Sequence, residues 1–208
     1  MRQQTVHVAV YDTLADWEVG LAVAHLNKRQ WQREPGRYRV QTVAERNEQV
    51  TTMGGVRVMP DVVLDRLSPD DSAMLILPGA DLWDEGGNTA FAVKAREFLD
   101  AGVPVAAICG ATYGLAAGGL LNDRKHTSGA PDYLAAAPGY DGAEHYQNAM
   151  AVTDGDLITA SPVAPAEFAR EVLAKLDVYR PEVLDAWYAL YGRQDPSGFP
   201  VLMAAAGH

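Results

Sequence analysis

Short apolar runs rich in β-branched residues, separated by segments of helical period, constrain this chain more than any other feature. TVHVAVYD (5–12), YRVQTVAE (38–45), SAMLILPGA (72–80) and VPVAAIC (103–109) read as strands. Between them, ADWEVGLAVAHLNKRQW reads as a helix with Trp17, Leu21, Ala24 and Lys28 on one stripe, capped by Thr13 or Asp16. TAFAVKAREFLDAG (89–102) reads as a second helix, closed by Gly102. Strand, helix and strand in succession predict an α/β fold with a mostly parallel sheet covered by crossover helices.

The stretch QVTTMGGVRVMPDVVLDRL breaks the alternation, and Gly54-Gly55 between two β-rich runs predicts a hairpin. Further on, NAMAVTDGDLITA alternates around an Asp-Gly turn, APAEFAREVLAKL is amphipathic, and Pro181 opens a last helix, PEVLDAWYALYG. The Tyr and Trp of that helix are expected to pack it onto the body or onto a partner subunit. The tail RQDPSGFPVLMAAAGH has no sustained period and is expected as an extended arm or a docked C-terminus. A length of 208 residues fits one well-buried core, so a single domain over 1–208 is expected.

Charge and cysteine content narrow the function. With 27 acidic against 17 basic residues the net charge is -10, which opposes the phosphate backbone, so no nucleic-acid partner is expected. No apolar run reaches the length of a membrane span. MRQQTVHVAVYD runs directly into strand-like alternation without an apolar signal region, and a cytoplasmic location is the expectation. The single cysteine, Cys109, rules out an intramolecular disulfide. The scattered His, Cys, Asp and Glu residues lack metal-site spacing, and no glycine-rich stretch has the G-x-G-x-x-G turn, so neither metal nor cofactor is expected.

Cys109 lies where a strand-like run becomes a helix-like one, GATYGLAAGG. Such a turn brings strand and helix backbones close and needs small neighbours, which Ala107, Gly110 and Ala111 supply. The helix N-terminus would favour thiolate. Taken alone, the turn leaves two readings open: a presented nucleophile, or a core cysteine at a strand end. LPGAD (77–81) ends a neighbouring strand and could offer backbone N–H groups to an oxyanion. YDTLADWEVG places Asp12, Asp16 and Glu18 at the same sheet edge.

The segments AICGATYGLAAGGLLNDRKHTS, LILPGA, DWE and VTDGDLITASPVAPAEFAREVL together resemble the ThiJ/PfpI family of the class I glutamine amidotransferase-like superfamily, over roughly residues 5 to 176. That leaves 177–208 as an extra C-terminal helix and tail. The resemblance implies a flavodoxin-like α/β sandwich, usually a homodimer or higher homo-oligomer. It further implies Cys109 as nucleophile, Glu18 as the acid that hydrogen-bonds its sulfur, and the Ala80 and Gly110 N–H groups as the oxyanion-binding pair.

Two departures matter. Where peptidase-like and glyoxalase-like members place a histidine, this chain has Gly110 and Gly129, and Ala80 replaces the second glycine of the usual PGG. His126 and His145 remain as candidate bases, while His7, His25 and His208 match no catalytic position of the family. AEHYQNA lacks the His-x-Glu pair of glutamine-hydrolysing relatives. The expected function is a cysteine-dependent hydrolase of stress or detoxification type, a protease or amidase or an enzyme acting on a small carbonyl compound. The alternatives are a redox sensor using oxidation of Cys109, or a scaffold whose function is its dimer surface.

Overall fold

The computed structural model describes residues 3–206. Its strands are β1 (Gln4–Ala9), β2 (Tyr38–Ala44), β3 (Val50–Thr51), β4 (Arg57–Val58), β5 (Val62–Val63), β6 (Met74–Leu77), β7 (Val105–Ile108), β8 (Ala151–Asp154) and β9 (Leu157–Ala160). Seven form one sheet in the order β5-β2-β1-β6-β7-β9-β8, parallel except for the β8–β9 pair. The pair β3–β4 is a separate antiparallel hairpin, with Gly55 at φ 79 in its turn. Without β5 and β8 the order is β2-β1-β6-β7-β9, the flavodoxin-like arrangement in which the order of strand addition reverses between β1 and β6 while the strands stay parallel.

The helices are α1 (Asp16–Asn27), α2 (Asp81–Asp84), α3 (Thr89–Asp100), α4 (Gly110–Ala117), α5 (Pro131–Ala135), α6 (Pro165–Lys175), α7 (Pro181–Tyr191) and α8 (Phe199–Ala205). The apolar runs of β6 and β7 are buried on both faces, as a parallel sheet between helix layers requires. Met74, Ile76, Ala106 and Ile108 face α1, α6 and α7, whereas Leu75, Leu77, Val105 and Ala107 face α3 and α4. Among the described residues no helix is long and apolar enough to cross a membrane.

α1 is rotated from the expected stripe. Trp17 is 53% exposed, Ala24 and Lys28 face solvent and Leu21 is half-buried, while Glu18, Val19, Ala22, His25 and Leu26 form the buried face. The inner face carries a glutamate and a histidine, so a search for apolar spacing selects the wrong side. The expected caps also do other work. Ala15 is the N-cap without a side-chain bond, Thr13 Oγ1 accepts the Asp81 N–H at 3.1 Å, and Asp16 Oδ2 accepts the Gly54 N–H at 2.6 Å. These bonds tie the β1–α1 loop to α2 and to the hairpin.

The C-terminal segment docks. Trp187 of α7 is fully buried, and its Nε1–H donates to His25 Nε2 at 3.0 Å. His25 Nδ1 lies 2.8 Å from the Tyr179 hydroxyl, and the Trp31 ring stacks on the imidazole. Because Nε2 accepts, Nδ1 carries the proton and the ring is neutral. Burial pushes its pKa down to about 4. The tail is not an extended arm: a 3₁₀ turn at Pro196–Gly198 leads into α8, and Leu202 is fully buried. A Cβ at Gly198 would lie 2.2 Å from the Ala186 carbonyl oxygen, which is why a glycine permits that approach.

Candidate active site

Loops at the carboxyl ends of β1, β6 and β7 converge, and each contributes one part of the site. Cys109 occupies the β7–α4 turn at φ 57 and ψ -128, a strained conformation for a non-glycine residue. Ala107 and Ala111 are fully buried around it, as the close approach of strand and helix demands. The thiol itself is half-buried.

Gly79 separates the sulfur from Glu18. A Cβ there would lie 2.8 Å from Cys109 Cβ, 3.0 Å from Sγ and 2.9 Å from Glu18 Oε2. The Gly79 N–H donates to Glu18 Oε2 at 2.6 Å. Glu18 is fully buried, and Oε1 has no partner with standard hydrogen-bond geometry, yet thiol and carboxyl are close enough to perturb each other's titration. Burial pushes the Glu18 carboxyl up to about 7, against the opposing effects of the Gly79 N–H and of the thiol.

The expected easy ionisation of Cys109 is corrected here. Burial, then the Glu18 charge and its hydrogen bond, push the thiol up to about 12, and Asp84 adds to the rise. The Gly110 N–H acts in the opposite direction but is outweighed. Thiol and carboxyl are both raised and titrate as a coupled pair.

Ala80 and Gly110 sit against each other: a Cβ on Gly110 would lie 3.1 Å from the Ala80 carbonyl oxygen and 3.3 Å from Trp83 Cβ. The Gly110 N–H points at the sulfur, and neither it nor the Ala80 N–H donates to another protein acceptor among the described residues. A side chain at 110 would crowd both neighbours. Trp83 cannot easily withdraw. Its Nε1–H is shared between the Tyr11 hydroxyl (3.0 Å) and the Pro78 carbonyl (3.1 Å), and its ring lies against Gly114, where a Cβ would be 2.1 Å from a ring carbon.

The two candidate histidine bases are not in the site. His126 is fully buried with Nδ1 2.7 Å from the Arg124 carbonyl and Nε2 2.8 Å from the Tyr140 hydroxyl. His145 lies in a 3₁₀ turn with Glu144 3.6 Å from its ring, and neither histidine is among the groups that perturb Cys109. His7 bonds Ser72 at 2.8 Å, His25 belongs to the α7 dock, and His208 lies outside the described residues. Asp12 and Asp16 accept backbone N–H groups of Thr51 and Gly54 rather than facing the thiol. No group of three or more His, Cys, Asp or Glu among the described residues could hold a metal ion.

Sequence reasoning overlooked Gly79, Trp83 and Asp84. Gly79 was visible as the Pro-Gly turn, whereas the others act through tertiary contacts that no spacing reports. A cleft of about 460 Å³ lined by His7, Arg39 and Ser72 lies at the opposite, amino end of the sheet.

A flavodoxin-like sheet with a lone thiol on a strained strand-to-helix turn, backed by a buried glutamate, defines the class. The DJ-1/PfpI family model matches residues 4–175, and the chain belongs to that family. It is 42% identical over 205 residues to a Bacillus subtilis protein named "Uncharacterized protease YoaZ", covering 98% of each chain. A 30% identity over 125 residues, 59% of this chain and 72% of the other, links it to the Escherichia coli "Protein/nucleic acid deglycase 2". Among solved structures, a thiJ/pfpI family protein from Bacillus anthracis superposes with a TM-score of 0.90 at 40% identity, over 99% of both chains.

Proposed function

We propose that this protein is a cysteine-dependent hydrolase acting on small acyl or carbonyl compounds, with Cys109 as the nucleophile. The observation that carries the reading is the placement of one strained thiol between a buried carboxyl that titrates near 7 and two backbone N–H groups, of Ala80 and Gly110, that donate to no other protein acceptor among the described residues. Glu18 takes the thiol proton as the sulfur attacks, since a base with a pKa near the working pH is best matched to that transfer. The N–H groups of Ala80 and Gly110 receive the oxyanion. The relatives named as a protease and as a deglycase support an enzymatic reading.

Signalling by oxidation of Cys109 is the competing use of the same sulfur, and it draws on the thiolate just as acyl transfer does. A p-nitrophenyl ester tests the choice. The expected result is a burst of about one leaving group per chain followed by slower turnover, with the burst absent in Cys109→Ser. A burst that survives this substitution would remove Cys109 from the reaction.

A further inference from the structure

We propose that the cleft at the amino end of the sheet binds a small zwitterion of the free α-amino acid type, with its carboxylate on Arg39 and Arg66 and its ammonium on Asp70, Asp71 and His7 Nε2. The cleft, of about 460 Å³, has room for such a molecule. It stands apart from Cys109, which lies beyond the carboxyl end of β7.

The floor is a part of the sheet where the helix layer stops. Thr5 and His7 of β1 pair with Arg39 and Gln41 of β2, and all four share the face whose later positions, Ala9 and Val43, are buried in the core. Parallel strands covered on both faces are apolar throughout, so these polar positions mark the end of the cover. No α-helix residue lines the cleft among the described residues. Thr5 and His7 are nevertheless not ordinary solvated groups, being only 6% and 4% exposed. The facing wall is the segment between β5 and β6, which supplies Arg66, Asp70, Asp71 and Ser72.

Hydrogen bonds fix what each group can offer. Ser72 Oγ–H donates to the Ser68 carbonyl at 3.0 Å, so the 2.8 Å contact between Ser72 Oγ and His7 Nδ1 is a donation from the ring. Nε2 has no protein partner among the described residues and is left as an acceptor on the cleft side. Burial and the nearby Arg39 favour the neutral ring. Arg39 Nε–H donates to Thr5 Oγ1 at 3.0 Å, which holds the guanidinium beside the floor and leaves its terminal nitrogens for a ligand. Ser68 Oγ accepts the Asp70 N–H at 3.2 Å and sets the turn that carries both aspartates. Two charges of each sign therefore line one cleft, and none of the four is ion-paired among the described residues. A simple anion would meet two carboxylates and a simple cation two guanidinium groups, whereas a ligand carrying both signs satisfies both sets at once.

The test is thermal denaturation of the full chain with each of the twenty free L-amino acids, followed by calorimetric titration of those that stabilise it. At about 100 times its Kd a ligand should raise the midpoint by roughly 5 °C or more. Its N-acetyl and its amide derivatives each lack one of the two charges and should bind the unmodified protein at least about tenfold more weakly. Arg39→Gln, and Asp70→Asn combined with Asp71→Asn, should weaken the free amino acid by a similar factor; none of these side chains is buried. Cys109→Ser should bind it as tightly as the unmodified protein. Stabilisation by none of the twenty, or equal affinity for either derivative, would overturn the proposal. So would binding that survives both cleft variants or is lost in Cys109→Ser, since either result puts the ligand elsewhere.

Discussion

Replacing Glu18 by Gln is expected to make Cys109 easier to alkylate and the protein slower at turnover, two effects of opposite sign from one substitution. Ionised Glu18 is the second-largest cause of the raised thiol, after burial. The amide keeps the size of the side chain and can still accept the Gly79 N–H, but it carries no charge. Each unit by which the thiol falls multiplies the thiolate fraction tenfold. Iodoacetamide labelling of Cys109 at pH 8 should therefore accelerate about tenfold or more. Ester turnover should drop on the order of 100-fold, because the proton acceptor for the attacking sulfur is gone. A variant that alkylates faster and also turns over faster would show that Glu18 only suppresses the thiol and transfers no proton.

The same carboxyl and the buried histidine of the α7 dock leave opposite marks on stability in acid. Glu18 has a folded pKa of about 7, above the ordinary 4.5, so its contribution is fully present below 4.5 and is lost as pH rises through 7. His25 has a folded pKa of about 4, below the ordinary 6.5, so the unfolded chain binds its proton first and stability falls as pH drops from 6.5 toward 4. His7 and His126, whose pKa values are also lowered by burial, act in the direction of His25.

Between about pH 5 and 6.5 Glu18 therefore offsets a destabilisation that the histidines cause. Urea denaturation of Glu18→Gln should show stability falling with acid more steeply than in the unmodified protein, by up to about 1.4 kcal/mol per pH unit. His25→Gln should give a shallower slope by a similar amount, while lowering stability at pH 7 through the lost Tyr179 and Trp187 bonds. Parallel slopes in all three proteins would mean that neither group is buried in the state assigned to it.

The readable and unreadable parts of this chain divide on physical grounds. β6 and β7 were legible because strands buried on both faces are apolar throughout, and the elbow was legible because its steric demands appear as Ala107, Gly110 and Ala111. The glycine in place of a histidine at 110 was legible too, although the Trp83 side chain packed beside it was not. The inner face of α1 was hidden because Glu18 and His25 occupy it, and buried polar residues break the apolar stripe that periodicity detects. The ionisation of Cys109 was misjudged because a helix N-terminus can be inferred from sequence, whereas the burial that outweighs it cannot.

The most direct measurement of the central claim is an acid quench during ester turnover, followed by intact-mass and peptide-level mass spectrometry. One acyl group per chain, carried by the peptide containing Cys109 and absent from Cys109→Ser, is the predicted result. Turnover with no acyl adduct, or with an adduct on another residue, would contradict it.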